Sequence, residues 1–184
     1  KLGTIVEQGP QAWSVIQQQN GTGSVRLSGH FVPPEDNAPG DLHAYARIVK
    51  EDDSSVVIDW QPSESLGGDR WAIEIAGIPA GGLYRIETCL GQLTSASKEW
   101  AIRGDMIHHV GVGDLWVIAG QSNSAGYGRG PIVDPPEPGV HLLRNSGQWD
   151  MASHPFNEST LTSHPDNREY ANPGHSPYLA SKIT

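Results

Sequence analysis

The residues whose types and spacing could do chemistry lie in one stretch, Leu115-Trp-Val-Ile-Ala-Gly120-Gln121-Ser122-Asn123-Ser124-Ala-Gly126. A serine that directly follows an apolar strand, with a glycine two residues before it, sits on a tight turn at a sheet's C-terminal edge, where open α/β sheets bind ligands. Such a turn exposes the hydroxyl and aims neighbouring backbone N–H groups at whatever approaches it. Those amides suit the oxyanion of an acyl transfer, with Ser122 as nucleophile and Gly120, Gln121 and Asn123 shaping the turn and its oxyanion side. The pattern is not the Gly-x-Ser-x-Gly elbow, because Ser124 stands where the second glycine would be. Glycines 120, 126, 128 and 130 do not make a phosphate cradle either, since no Gly-Lys-Ser/Thr follows and the Gly-x-Gly-x-x-Gly spacing fails. The plainer reading, a turn serine in a loop rich in glycine and serine, leaves the apolar run in front of it unexplained.

The elements that must position this serine fall into two regions. From Trp13 to about Val110 short apolar/polar alternations are separated by turn clusters. Val25, Leu27 and Phe31 share one face of Ser24-Val-Arg-Leu-Ser-Gly-His-Phe31. Leu42, Ala44, Ala46 and Ile48 share another, and Trp71, Ile73 and Ile75 a third. Trp13-Ser-Val-Ile-Gln17 reads as the opening strand, with further strands over 55–60, 83–90 and 98–103. Many short half-apolar strands with regular turns predict a β-sandwich over 1–112. Asp114-Leu-Trp-Val-Ile-Ala119 is apolar on consecutive positions instead, which predicts a strand buried on both faces, as in a parallel sheet covered by helices. Residues 120–175 read as long loops. Pro177-Tyr-Leu-Ala-Ser-Lys-Ile183 reads as a helix start capped by Ser176. The expected architecture is thus a β-sandwich followed, over 113–184, by an incomplete α/β domain of three layers. One β-α pair cannot satisfy its own sheet edges.

Gly120-Gln-Ser-Asn123 after Val112-Gly-Asp-Leu-Trp-Val resembles the nucleophile block of the sialate O-acetylesterase and acetylxylan esterase group, which are SGNH-type carbohydrate esterases. Pro79-Ala-Gly-Gly82-Leu-Tyr-Arg-Ile86 is similar to a hairpin of the sandwich that precedes their catalytic domain. Trp13-Ser-Val-Ile-Gln17 resembles its opening strand, and His175-Ser-Pro-Tyr-Leu-Ala180 a helix before the second strand of a flavodoxin-like catalytic sheet. The resemblance implies an esterase that removes acetyl groups from O-acetylated carbohydrate. Ser122 would attack the acetyl carbonyl, its own N–H would help hold the oxyanion, and His175 and Ser176 would be substrate-pocket candidates. It also implies a base drawn from an Asp-x-x-His motif near the far C-terminus, and the one Asp-x-x-His in the sequence, Asp105-Met-Ile-His108, lies instead in the sandwich region before Ser122. The chain by itself is therefore expected to be nearly inactive, with its partners an O-acetylated carbohydrate and the missing C-terminal portion of the catalytic domain. The alternative is a non-catalytic carbohydrate-binding or scaffold sandwich in which Ser122 is incidental.

The remaining residues narrow the field. A formal net charge of −9 repels polyanions, which argues against nucleic acid, and no basic amphipathic stretch suits a membrane surface. Cys89 is a single cysteine within an alternating apolar run and reads as a buried thiol. His108 and His109 are adjacent, so on a regular strand they point to opposite faces and share a metal poorly. Glu51-Asp52-Asp53 reads as a solvated turn, and Trp13, Trp60, Trp71 and Trp100 as sandwich core. The Ser-His-Pro pair at 153–155 and 163–165 lacks the acidic or cysteine partners of a structural zinc. No metal and no cofactor are expected. The N-terminus lacks the apolar core of a signal peptide, which leaves the compartment open.

Overall fold

The computed structural model describes residues 1–35, 42–92, 101–120, 124, 135–154 and 156. The chain divides into two compact units, Lys1–Asp114 and Leu115–Thr184. In the first, nine strands run β1 Gly3–Gln8, β2 Val15–Gln17, β3 Thr22–Val32, β4 Leu42–Lys50, β5 Val56–Pro62, β6 Glu64–Gly67, β7 Arg70–Pro79, β8 Gly81–Gln92 and β9 Ala101–Gly113. They form a four-stranded sheet ordered β1-β3-β7-β6 and a five-stranded sheet ordered β2-β9-β8-β4-β5.

Alternation builds the core between them. Val25, Leu27, Trp71, Ile73, Ile75 and Ile78 project from the smaller sheet, and Ala44, Ala46, Ile48, Tyr84, Ile86, Val110 and Val112 from the larger. Fully burying a leucine or isoleucine contributes about 1.5–3 kcal/mol, so this double layer is what holds the sheets face to face. The expected sandwich is therefore observed, with β1 and β6 as strands the sequence pattern does not announce. A buried hydroxyl chain ties β1 to the larger sheet. Thr88 Oγ1 donates to the Asp105 carbonyl, so at 2.7 Å it accepts from Thr4 Oγ1. Gly104 lies against this chain, where a Cβ would strike Thr4 Oγ1.

Three expectations are corrected. The described residues are all-β and contain no helix, so the three-layer α/β architecture expected from residue 113 is not what they form. Residues 115–120 form no strand, and no described strand pairs with them. Leu115, Trp116, Val117 and Ile118 are 47%, 72%, 89% and 45% exposed, not buried on both faces. A consecutive apolar run is buried only where neighbouring strands satisfy its amides and layers cover its side chains, and among the described residues neither is provided. The loop region expected after it carries a short hairpin, β10 His141–Leu143 antiparallel to β11 Trp149–Met151. The helix expected over 177–183 lies outside the described residues.

Trp71 is core at 1% exposure, but Trp13 and Trp60 are only half-buried. Trp60 lies under the Arg47 guanidinium, 4.6 Å from its ring centre. Trp100 lies outside the described residues.

Candidate functional site

Ser122, Gln121, Asn123, His175 and Ser176 lie outside the described residues, so the structure brings none of them together. Gly120 is described and exposed. It approaches Ser124 so closely that a Cβ on Gly120 would collide with the Ser124 hydroxyl. A side chain there would need the Ser124 hydroxyl to rotate away, and the contact spans the two sides of the Gln-Ser-Asn tripeptide in sequence. In the same unit His154 stacks on Phe156 with ring centres 4.7 Å apart. That gives the first Ser-His-Pro segment a packing role, while the second lies outside the described residues.

The first unit holds a polar constellation that the sequence reading missed. It begins with a phase break in β9. Ile107 faces the core, and so do Val110 and Val112, although strict alternation would place 109 inward. The β8–β9 register accounts for this: Ile86 opposes Ile107 and Tyr84 opposes Val110, so three steps on β9 match two on β8. The extra residue is a β-bulge. His109 absorbs it with φ +61°, a left-handed conformation that a side chain of this size seldom adopts. The turn swings both imidazoles onto one carboxylate. Glu51 Oε2 receives His109 Nδ1 at 2.7 Å, and Oε1 receives the His109 backbone N–H at 2.9 Å and His108 Nδ1 at 3.3 Å.

Two earlier expectations are corrected here: the bulge keeps the histidines from opposing faces, and although Glu51-Asp52-Asp53 is a turn with Asp52 and Asp53 exposed as expected, the Glu51 side chain is sheltered at 16% exposure. Burial pushes the Glu51 carboxyl up, but the His109 backbone and side-chain bonds together outweigh that and hold it below the usual carboxylate range. The N-terminal segment completes the cluster. Trp13, also left-handed at φ +65°, stacks on the His109 ring at 4.3 Å. Its N–H reaches the His108 carbonyl at 3.4 Å, and Gly111 donates to the Ser14 carbonyl at 2.9 Å, where β2 begins its parallel pairing with β9. The signal in the sequence was the three-residue interval between Ile107 and Val110, filled by two histidines.

A second polar group occupies the opposite face of the larger sheet from the core. Arg47 and Glu87 are direct partners across β4 and β8. Arg47 Nε and Nη2 both lie 2.6 Å from Glu87 Oε2, and Arg85 Nε donates to Oε1 at 2.7 Å. Burial raises the Glu87 carboxyl, and the bonds from Arg47 and Arg85 outweigh it, holding the group below its usual range. At the strand end, Gln17 and Gln18 each donate from Nε2 to Asp114 Oδ1, at 3.2 and 3.1 Å, which fixes the residue just before the apolar run. Among the described residues no group of three or more histidine, cysteine, aspartate or glutamate side chains converges as a metal cage.

No family model matches the chain, and comparison with curated proteins returns no match.

Proposed function

We propose that this chain carries the nucleophile of a serine esterase, Ser122, that removes O-acetyl groups from carbohydrates. The observation that carries the reading is the contact of Gly120 with Ser124. A close approach at the glycine two residues before the serine suits a tight nucleophile turn, and it stands in the Gly-Gln-Ser-Asn order of the carbohydrate esterases that the sequence resembles. On this reading Ser122 Oγ attacks the acetyl carbonyl carbon. Its proton passes to a base, and the acyl-enzyme is released by water. Backbone N–H groups of the turn hold the oxyanion. The one Asp-x-x-His in the sequence, Asp105-Met-Ile-His108, lies on β9 of the sandwich, where His108 is engaged with Glu51; on this reading it is not the base of Ser122, and the isolated chain is expected to turn over acetyl esters no faster than its Ser122→Ala variant.

One observation favours a second reading. The sandwich closes its core within its own two sheets, as a free-standing carbohydrate-binding or scaffold module would. A fluorophosphonate probe applied to the source protein separates the two. Covalent labelling mapped to Ser122 and lost in Ser122→Ala supports the esterase. Absent labelling, with binding to acetylated glycans that survives Ser122→Ala, supports the module and overturns the esterase.

A further inference from the structure

We propose that His108 and His109 form a binding site for a borderline divalent transition ion, copper(II) most tightly, with Glu51 as the carboxylate that orients both rings. The inference is independent of the esterase reading, since every residue in it belongs to the sandwich unit.

An ionised carboxylate only accepts hydrogen bonds, so each ring must present Nδ1 as the donor to Glu51. The Glu51 oxygens lie 2.7 Å from His109 Nδ1 and 3.3 Å from His108 Nδ1. In the neutral rings that places both lone pairs on Nε2, turned away from the carboxylate. A histidine whose Nδ1–H is held by a carboxylate while Nε2 stays available is the arrangement of a metal ligand with its orienting partner. The two rings retain 48% and 39% side-chain exposure, whereas Glu51 keeps 16%. The orienting group is therefore sheltered and the donor atoms are reachable.

Spacing is the second argument. The ring centres are 5.7 Å apart and tilted by 50°. Metal–imidazole bonds of about 2.0–2.1 Å bring two nitrogens within about 4 Å of one another. Turning the more exposed His108 ring, which has the longer bond to Glu51, closes the gap. Two imidazoles and water suit copper(II) ahead of nickel(II) and zinc(II) by the usual affinity order, and suit magnesium or calcium poorly. The bulge gives the third argument. Two bulky residues, Trp13 and His109, hold left-handed backbone that glycine would adopt without strain, and this conformation is what puts adjacent histidines on one side of a strand.

Trp13, stacked on His109 at 4.3 Å, is a built-in reporter, because a bound copper(II) ion quenches a neighbouring indole. Titrating copper(II) into the full chain should quench emission saturably at one ion per chain. Trp13→Phe should remove most of that amplitude while the copper electron paramagnetic resonance signal keeps its nitrogen ligands. His109→Gln and His108→Gln should each weaken binding at least tenfold. Glu51→Gln, with both rings kept, should weaken it about tenfold. Circular dichroism on each variant checks that the sandwich is folded, and exposed His108 supplies the variant least able to disturb it. Saturable binding unchanged in His108→Gln and His109→Gln, or no saturable binding in the micromolar range, would overturn the site.

Discussion

Replacing Glu87 by glutamine should destabilise the sandwich by about 3 kcal/mol at neutral pH. Two charge-assisted hydrogen bonds reach separate carboxylate oxygens, Oε2 from Arg47 at 2.6 Å and Oε1 from Arg85 at 2.7 Å; the amide keeps one oxygen as a neutral acceptor, and the NH2 in the other place cannot accept from an arginine. One bond thus falls from about 1.5–3 to about 0.5–1.5 kcal/mol and the other is lost. The Glu87 side chain is 8% exposed and its two arginines 29% and 22%, so water does little to compensate either cation. Packing is kept, because glutamine has the same shape. For a unit of this size each kcal/mol moves the melting temperature by roughly 4–8 °C, which puts the expected fall at roughly 12–24 °C. The effect has a pH signature. The Glu87 carboxyl titrates lower when folded than when unfolded, so its stabilisation is complete above about pH 4.3 and is lost as pH falls through the folded value. Urea unfolding of both proteins at neutral and acid pH measures it. The difference in midpoint should be large at neutral pH and shrink on acidification. A difference within about 0.5 kcal/mol at neutral pH, or one that does not narrow in acid, refutes the view that this triad is a net stabilising network.

Two further perturbations test the fold. Gly104→Ala should cost about 1–3 kcal/mol by overpacking against Thr4. Thr4→Ala in the same chain should recover part of that loss in thermal melts, and strictly additive losses would argue against the contact. Val117→Lys, in the exposed apolar run, should lower self-association in light scattering without shifting the sandwich's melting temperature. Unchanged scattering would mean that the run is not the sticky surface.

The strand alternations were legible because a half-buried strand repeats every two residues whatever its neighbours are. Leu27, Trp71, Ile73 and Ile86 could be assigned inward on that basis, and all four are core. The pairing order was not legible, nor was β1, because hydrogen-bond partners far apart in sequence leave no local period. The same limit explains the corrected segment. Consecutive apolar residues at 115–118 state a need for cover, and whether cover exists depends on strands elsewhere.

The site divides along the same line. By itself the sequence determined the Gly-Gln-Ser-Asn order and the chemistry a serine on such a turn can do, since residue identity and short spacing are local properties. It also determined the composition that disfavours polyanionic partners. Tertiary structure alone decided that Glu51, remote in sequence, meets His108 and His109. One inserted residue in β9 reverses which side of the strand a side chain occupies, and only the opposing strand reveals the insertion.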